Sequence, residues 1–364
     1  IAAAATAAKK ELRAAAVAGG LFWGCVDEAT EILTMEGWKT HSTFDGSEIV
    51  ATFNLTTKRL EWQGGMGKSE YNVENEPMAQ IRTARLDMLL TLNHRVVFVN
   101  RNTSAAKVRT AGDMPRGTSS NYLVPQAALG LEPTDPLPIS PAMAAVLGWT
   151  IAEGYFAAGS ALVTIAQSER VNAANCGLIR AALGNAGLTY SEGRGCGGMV
   201  YFRVAARDGS AQAIRRWIPE KLLTADLAFR LTKDAAEALW MALLRGDGAC
   251  GETSSGKERW CFVQVNTENV DLFQALGQRL GIATTAAKRP GIWTVGVRRQ
   301  PWGLWQSKKN AVSTIVRYTG VVWCPTTPNT TWVARRNGKT FVTGNSYLQV
   351  EQSLGGIRSG APPR

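Results

Sequence analysis

The chain has 364 residues, of which 45% are hydrophobic and 19% charged, a globular balance that excludes general disorder. At about 150 residues per domain, that length points to two or three domains. Lys and Arg outnumber Asp and Glu by 40 to 29, and the six Cys, scattered with no CxxC pair, exclude a disulfide scaffold and suggest no structural zinc site.

Residues 1–24 are Ala-rich around Lys9-Lys10-Glu11-Leu12-Arg13 and are expected to form an exposed helix. The apolar stretch Ala14–Phe22 is short and broken by glycines, and Trp23 is a poor residue beside a cleavage site, so no secretory leader is read here. No run of about 18 apolar residues follows anywhere, so no membrane-spanning helix is expected. A reducing, cytoplasmic setting fits this cysteine usage.

From Cys25 to about Leu131 the pattern is short β-prone runs between turns. Glu48–Leu55, Ala79–Leu86 and Arg95–Val99 are the predicted strands. Pro133, Pro136, Pro138 and Pro141 then form an expected linker. β-like sequence returns only at Val312–Trp323 and Thr331–Thr343, which implies an all-β domain interrupted by a different one.

The interrupting block holds a weak repeat. Val146-Leu147-Gly148-Trp149-Thr150-Ile151-Ala152-Glu153-Gly154 is echoed by Trp240-Met241-Ala242-Leu243-Leu244-Arg245-Gly246-Asp247-Gly248. A β-like stretch and a capped helix follow each copy, the helices opening at Ser168-Glu169 and Thr267-Glu268. Two copies of one unit imply a pseudo-two-fold domain. Small residues four apart, Gly148 with Ala152 and Ala242 with Gly246, mark one face of each helix, where two backbones can approach closely. Helices packed on those faces would bring Glu153 and Asp247 to the same end, where paired carboxylates suit a divalent cation such as Mg²⁺. Residues 141–310 also carry a net charge of +7, against −3 for residues 25–140, which points to a nucleic-acid partner for the central block. An ordinary buried helix pair in a solvated basic domain is the plain alternative.

The block 141–310 resembles a LAGLIDADG homing endonuclease with both signature helices in one chain. The resemblance implies an αββαββα unit in each half and β-ribbons in the DNA major groove. It further implies metal-assisted cutting of a specific double-stranded DNA site, with Glu153 and Asp247 as the metal-binding acids. The lysine usual before the Ile-Pro step is here Arg216, ahead of Trp217-Ile218-Pro219. Lys221, Lys288 and Arg289 are lower-ranked substitutes for its basic role.

The β-rich flanks carry a second set of motifs. Cys25-Val26-Asp27 opens the first flank, and Thr91-Leu92-Asn93-His94 precedes its strand from Arg95. Val322-Trp323-Cys324-Pro325 and Thr340-Phe341-Val342-Thr343-Gly344-Asn345-Ser346 lie in the second. In that order they resemble an intein, a self-splicing element of the all-β Hedgehog/intein horseshoe fold. The reading divides the chain into host segments 1–24 and 346–364, a splicing domain 25–137 plus 312–345, and an endonuclease 138–311. The whole is expected to be monomeric, its host flanks acting in cis.

The chemistry suits those residue types. The Cys25 thiol can attack the carbonyl of Gly24 and convert that amide to a thioester. His94 is expected to protonate the departing amine, while Thr91 and Asn93 hold the scissile peptide and its developing oxyanion. Ser346 then takes the acyl group, Asn345 cyclises to free the insert, and an O-to-N shift joins Gly24 to Ser346. No cofactor is needed for these steps. The resemblance would put His before the terminal Asn and again where Thr330 or Thr331 stands, whereas Gly344 precedes Asn345 and the chain has only His41 and His94. Cys324 and Thr343 follow a subclass whose first nucleophile is the internal Cys. That subclass lacks a Cys at position 25 and has a Trp where Val96 and Val97 stand. The ordinary route through Cys25 is expected, with Cys324 either assisting acid–base chemistry or forming a second thioester, and first attack by Cys324 stays the alternative. A splicing-defective remnant acting only as a DNA endonuclease or binding module stays open as well.

Overall fold

The computed structural model describes residues 24–100, 105–114, 122–252, 258–298, 300–304 and 312–345. The chain divides into two compact units, one formed by the sequence up to Gln126 and from Trp302 onward, the other by Ala127–Pro301. The expected boundaries, 137/138 and 311/312, each lie about ten residues later. The Pro-rich stretch packs inside the second unit, where Gly130 N–H donates to Arg279 O and Leu137 N–H to Arg230 O, both at 2.8 Å.

In the first unit every described element is a strand. Val26–Asp27, Val312–Pro325, Lys68–Arg82 and Asp87–Thr91 close a four-stranded antiparallel barrel. The expected strand Ala79–Leu86 is instead the end of Lys68–Arg82 and the tight turn of its hairpin with Asp87–Thr91. Thr83 causes the turn, because its hydroxyl accepts the amides of Arg85 at 3.0 Å and Leu86 at 2.8 Å. The expected run Thr331–Thr343 is likewise a hairpin, Thr331–Arg336 paired with Lys339–Gly344. Asn337 (φ 47°) and Gly338 (φ 72°) form its two-residue turn, the left-handed pair that this dipeptide favours.

Thr30–Thr34 pairs with Thr331–Arg336 on one side and touches Ile49–Phe53 on the other, and Ile49–Phe53 pairs with Leu60–Gly64. Arg95–Asn100 meets the end of the terminal hairpin at Val96↔Thr343. The core is aromatic at its centre, with Trp323 5.9 Å from Phe44 and 5.5 Å from Trp332, ring to ring. A buried ion cluster ties the first strand to the hairpin. Arg336 Nε donates to both oxygens of Asp27 at 3.0 Å, and its Nη1 pairs with Asp87.

The second unit runs α, β, β, α, β, β, α from Pro141 to Trp217 and α, β, β, α, β, β from Lys233 to Arg298. The first half has a four-stranded antiparallel sheet in the order Gly154–Phe156, Val163–Ser168, Met199–Val204, Tyr190–Arg194. In the second half the ladder runs Gly248–Glu252, Glu258–Gln264, Ile292–Arg298, Ala283–Arg289, the same order of equivalents. Helix Pro141–Glu153 starts at Ser140, whose hydroxyl accepts Met143 N–H, with Pro141 in the first turn where its missing amide costs nothing. Ser168 caps Glu169–Asn185 as expected, but Asn266 rather than Thr267 caps Thr267–Arg279. The Asn266 carboxamide accepts Asn269 N–H at 2.9 Å, and the Thr267 hydroxyl accepts Trp293 Nε1–H at 3.2 Å instead.

Candidate functional site

Two separate sites emerge, one in each unit.

In the second unit, helices Pro141–Glu153 and Lys233–Gly246 pack through their small residues. A methyl added at Gly148 would lie 2.7 Å from both Ala242 Cβ and Leu239 O, and one at Gly246 would overlap Ala152. Each helix then turns at once into a strand. Side chains at Gly154 and Gly248 would run into the carbonyls of Thr150 and Leu244, so glycine must follow each acid. Glu153 and Asp247 thereby come close enough for the Glu153 charge to act on Asp247. Burial, then the Glu153 charge, pushes Asp247 up to about 7. Burial also raises Glu153.

Both acids receive matched partners. Gln167 Nε2 donates to Glu153 Oε1 at 2.9 Å, and Gln264 Nε2 to Asp247 Oδ2 at 2.9 Å. The amide oxygens are pinned behind them: Gln167 Oε1 accepts Ser168 N–H and Asn172 Nδ2–H, and Gln264 Oε1 accepts Val265 N–H. Neither glutamine stood out in the sequence, although Gln167 immediately precedes its capping residue and Gln264 stands two residues before its own. Lys221 is the cation at the site. Its Nζ donates to Gly154 O at 2.7 Å and its charge acts on both carboxylates. Of the other basic candidates, Arg216 lies over Trp217 at 5.4 Å, Lys288 over Trp293 at 5.5 Å, and Arg289 is exposed.

In the first unit, Gly24, Cys25, Thr91, His94, Cys324, Thr343 and Asn345 are all buried. Cys25 N–H donates to Thr91 Oγ1 at 2.9 Å, and Thr91 N–H donates to Cys25 O at 3.0 Å. His94 Nδ1 lies 2.8 Å from Gly24 O, and its Nε2 lies 2.5 Å from Thr343 Oγ1. A carbonyl only accepts, so Nδ1 carries the proton and Nε2 accepts from the Thr343 hydroxyl. Burial lowers the imidazole to about 4, with Arg95 adding to the effect and the Gly24 bond opposing it.

This arrangement differs from the expected one. The His94 ring faces the oxygen of the Gly24–Cys25 peptide, and the Thr91 hydroxyl faces its nitrogen. Asn93 is exposed. Strand register explains the geometry: Thr91 ends the strand whose Leu90 pairs with Val26, so its side chain comes level with Cys25. Cys25 precedes Val26, which pairs with Trp323, so Cys324 sits beside Cys25 at the end of that ladder. Both thiols belong to one apolar cluster with Met78, Leu89 and Val322. Burial pushes the Cys25 thiol well up, and Cys324 and Glu76 add to the rise. Asn345 N–H donates to Thr330 O at 2.9 Å. Ser346 lies outside the described residues, as do residues 1–23.

The chain matches no family model and no curated protein. Among solved structures, 43% of it is similar to 83% of I-DmoI in complex with DNA and Ca, at 14% identity and a TM-score of 0.32. The N-terminal LAGLIDADG domain of DUF199/WhiA is similar over 44% of this chain and 78% of its own, at 9% identity and a TM-score of 0.31. A class 3 split intein, AceL NrdHF, is similar over 28% of this chain and 62% of its own, at 18% identity and a TM-score of 0.25.

Proposed function

We propose that the chain is a self-splicing protein element whose all-β unit excises itself, interrupted by a unit that cuts a specific double-stranded DNA site. The observation that carries the splicing reading is the pair of contacts on one peptide bond, His94 Nδ1–H on Gly24 O and Thr91 Oγ1 on Cys25 N. Attack by Cys25 Sγ on the Gly24 carbonyl carbon would load negative charge on the oxygen that His94 already holds. A preorganised donor at that oxygen stabilises the transition state without reorganisation. The C–N bond then breaks, and the thiol's proton ends on the leaving amine beside Thr91. A buried thiol starts this step slowly, because little thiolate is present at neutral pH. Transfer to Ser346, cyclisation of Asn345 and a final shift would complete the joining of Gly24 to Ser346.

Added thiol tests the first step. It should release the segment before Cys25 from the intact chain and from Asn345→Ala, but not from Cys25→Ala. Release from Cys25→Ala with loss in Cys324→Ala would move the attack to Cys324.

In the second unit, Glu153 and Asp247 would hold a divalent cation. The fit rests on charge: burial raises both carboxylates, the Glu153 charge raises Asp247 further, and Lys221 opposes the rise at both. A bound Mg²⁺ would supply Lewis acidity and an activated water for phosphodiester hydrolysis. Gln167 and Gln264 orient the acids, and Lys221 adds a positive charge for a phosphate. Substitution of either acid should abolish metal-dependent cutting while DNA binding persists.

A further inference from the structure

The inference concerns the last cleavage of the splicing reading and rests on that reading. The histidines that the resemblance assigns to Asn345 are missing, and the structure shows why one cannot be accommodated. A side chain at position 344 would start 2.8 Å from Arg95 Cβ and 2.9 Å from Arg95 O. The second contact is backbone, so strand Arg95–Asn100 would have to move. Thr331 is committed elsewhere: its hydroxyl accepts Phe53 N–H at 2.9 Å and donates to Phe53 O at 2.5 Å. Thr330 offers Asn345 only its backbone carbonyl, from a left-handed φ of 56°.

The side chain of Asn345 instead meets Thr327, and both residues are fully buried. Thr327 Oγ1 lies 3.3 Å from Asn345 Oδ1, and Asn345 Nδ2 donates to Thr327 O at 3.3 Å. The same hydroxyl donates to Thr331 O at 2.8 Å, so its single proton is shared between the two oxygens, with the shorter bond to Thr331 O fixing the rotamer. We propose that Thr327 is the positioning residue for Asn345 cyclisation in place of histidine, its backbone carbonyl accepting from Nδ2 and its hydroxyl sharing a proton between Oδ1 and Thr331 O.

In that step Asn345 Nδ2 attacks the Asn345 carbonyl carbon. The new C–N bond closes a succinimide, the peptide bond to the following residue breaks, and the proton leaving Nδ2 ends on the departing amine. The reaction needs Nδ2, not Oδ1, turned toward that carbon. A carboxamide held at both atoms cannot turn over freely, and the Thr327 carbonyl draws on an Nδ2 proton that must leave.

The test uses the full chain, reading two cleavages by intact mass: thiol-induced release before Cys25 and spontaneous release after Asn345. Thr327→Val should slow the second about tenfold, the scale of one lost hydrogen bond, and leave the first unchanged. Thr327→Ser should restore the second. Wild-type speed after Asn345 in Thr327→Val would overturn the proposal. So would equal slowing of both cleavages in Thr327→Val and Thr327→Ser, which would mark a purely structural role. A wild-type chain that gives neither cleavage would instead sink the splicing reading beneath it.

Discussion

His94 can satisfy Gly24 and Thr343 together in one tautomer only, neutral with its proton on Nδ1. Protonating it would force the Thr343 hydroxyl to turn away and would put charge in a sealed core. Because its folded value is about 4 against 6.5 for a free imidazole, the unfolded chain binds this proton first as pH falls. The first unit should therefore lose stability between pH 6.5 and 4, by up to about 3 kcal/mol from this residue. Urea unfolding at pH 7 and pH 4.5 checks this. The loss should shrink in His94→Gln, and an equal loss in that variant would contradict the assignment. Cys25, Thr91 and His94, singled out in the sequence for their chemistry, come together on one peptide in the fold, and Asn345 is buried. Thr327 was not singled out, since a threonine in a run of threonines carries no signal until the fold aims one of them. The roles of His94 and Thr91 were also hidden: which atom of a peptide a ring faces depends on strand register.

At the scale of elements, the two signature helices were readable from small residues at four-residue spacing. Their glycines are contact points rather than breaks, as the backbone oxygen of Leu239 at Gly148 shows. Gly148→Val should destabilise the second unit by about 1–3 kcal/mol through overpacking, measured by chemical unfolding. Gly177, with no atom within 4 Å of an added methyl and lying in a helix, should instead tolerate Ala and gain up to about 1 kcal/mol. The strands were less legible. The β-prone composition of Ala79–Leu86 hides the turn that starts at Thr83, and that of Thr331–Thr343 spans the Asn337-Gly338 turn, so single runs covered parts of two hairpins. The turn signal at Asn337-Gly338 was present and should have outweighed that composition. Gly344→His should fail to restore fast cleavage after Asn345, since the added side chain meets Arg95 first. A faster variant would contradict the packing argument.

At the scale of the whole molecule, the two units carry different chemistry and should respond to different conditions. Asp247, raised to about 7, favours folding less once it ionises, so the second unit should weaken as pH rises through 7. A millimolar divalent cation should restore that stability at pH 8. Asp247→Asn should be insensitive to both, as followed by thermal unfolding. A wild-type response to Mg²⁺ in that variant would place the cation elsewhere. The two-unit organisation was legible from the interrupted β pattern and the charge step. The seam expected at 137/138 was not, because its prolines pack onto the second unit instead of bridging.

The most direct test of the account is the intact mass of the freshly expressed chain, followed over hours beside Cys25→Ala and Asn345→Ala. Splicing yields a free insert of residues 25–345 together with a product joining the segment ending at Gly24 to the one beginning at Ser346. Both species should be lost in Asn345→Ala. An unchanged full-length mass, with no thioester that added thiol can cleave, would contradict it.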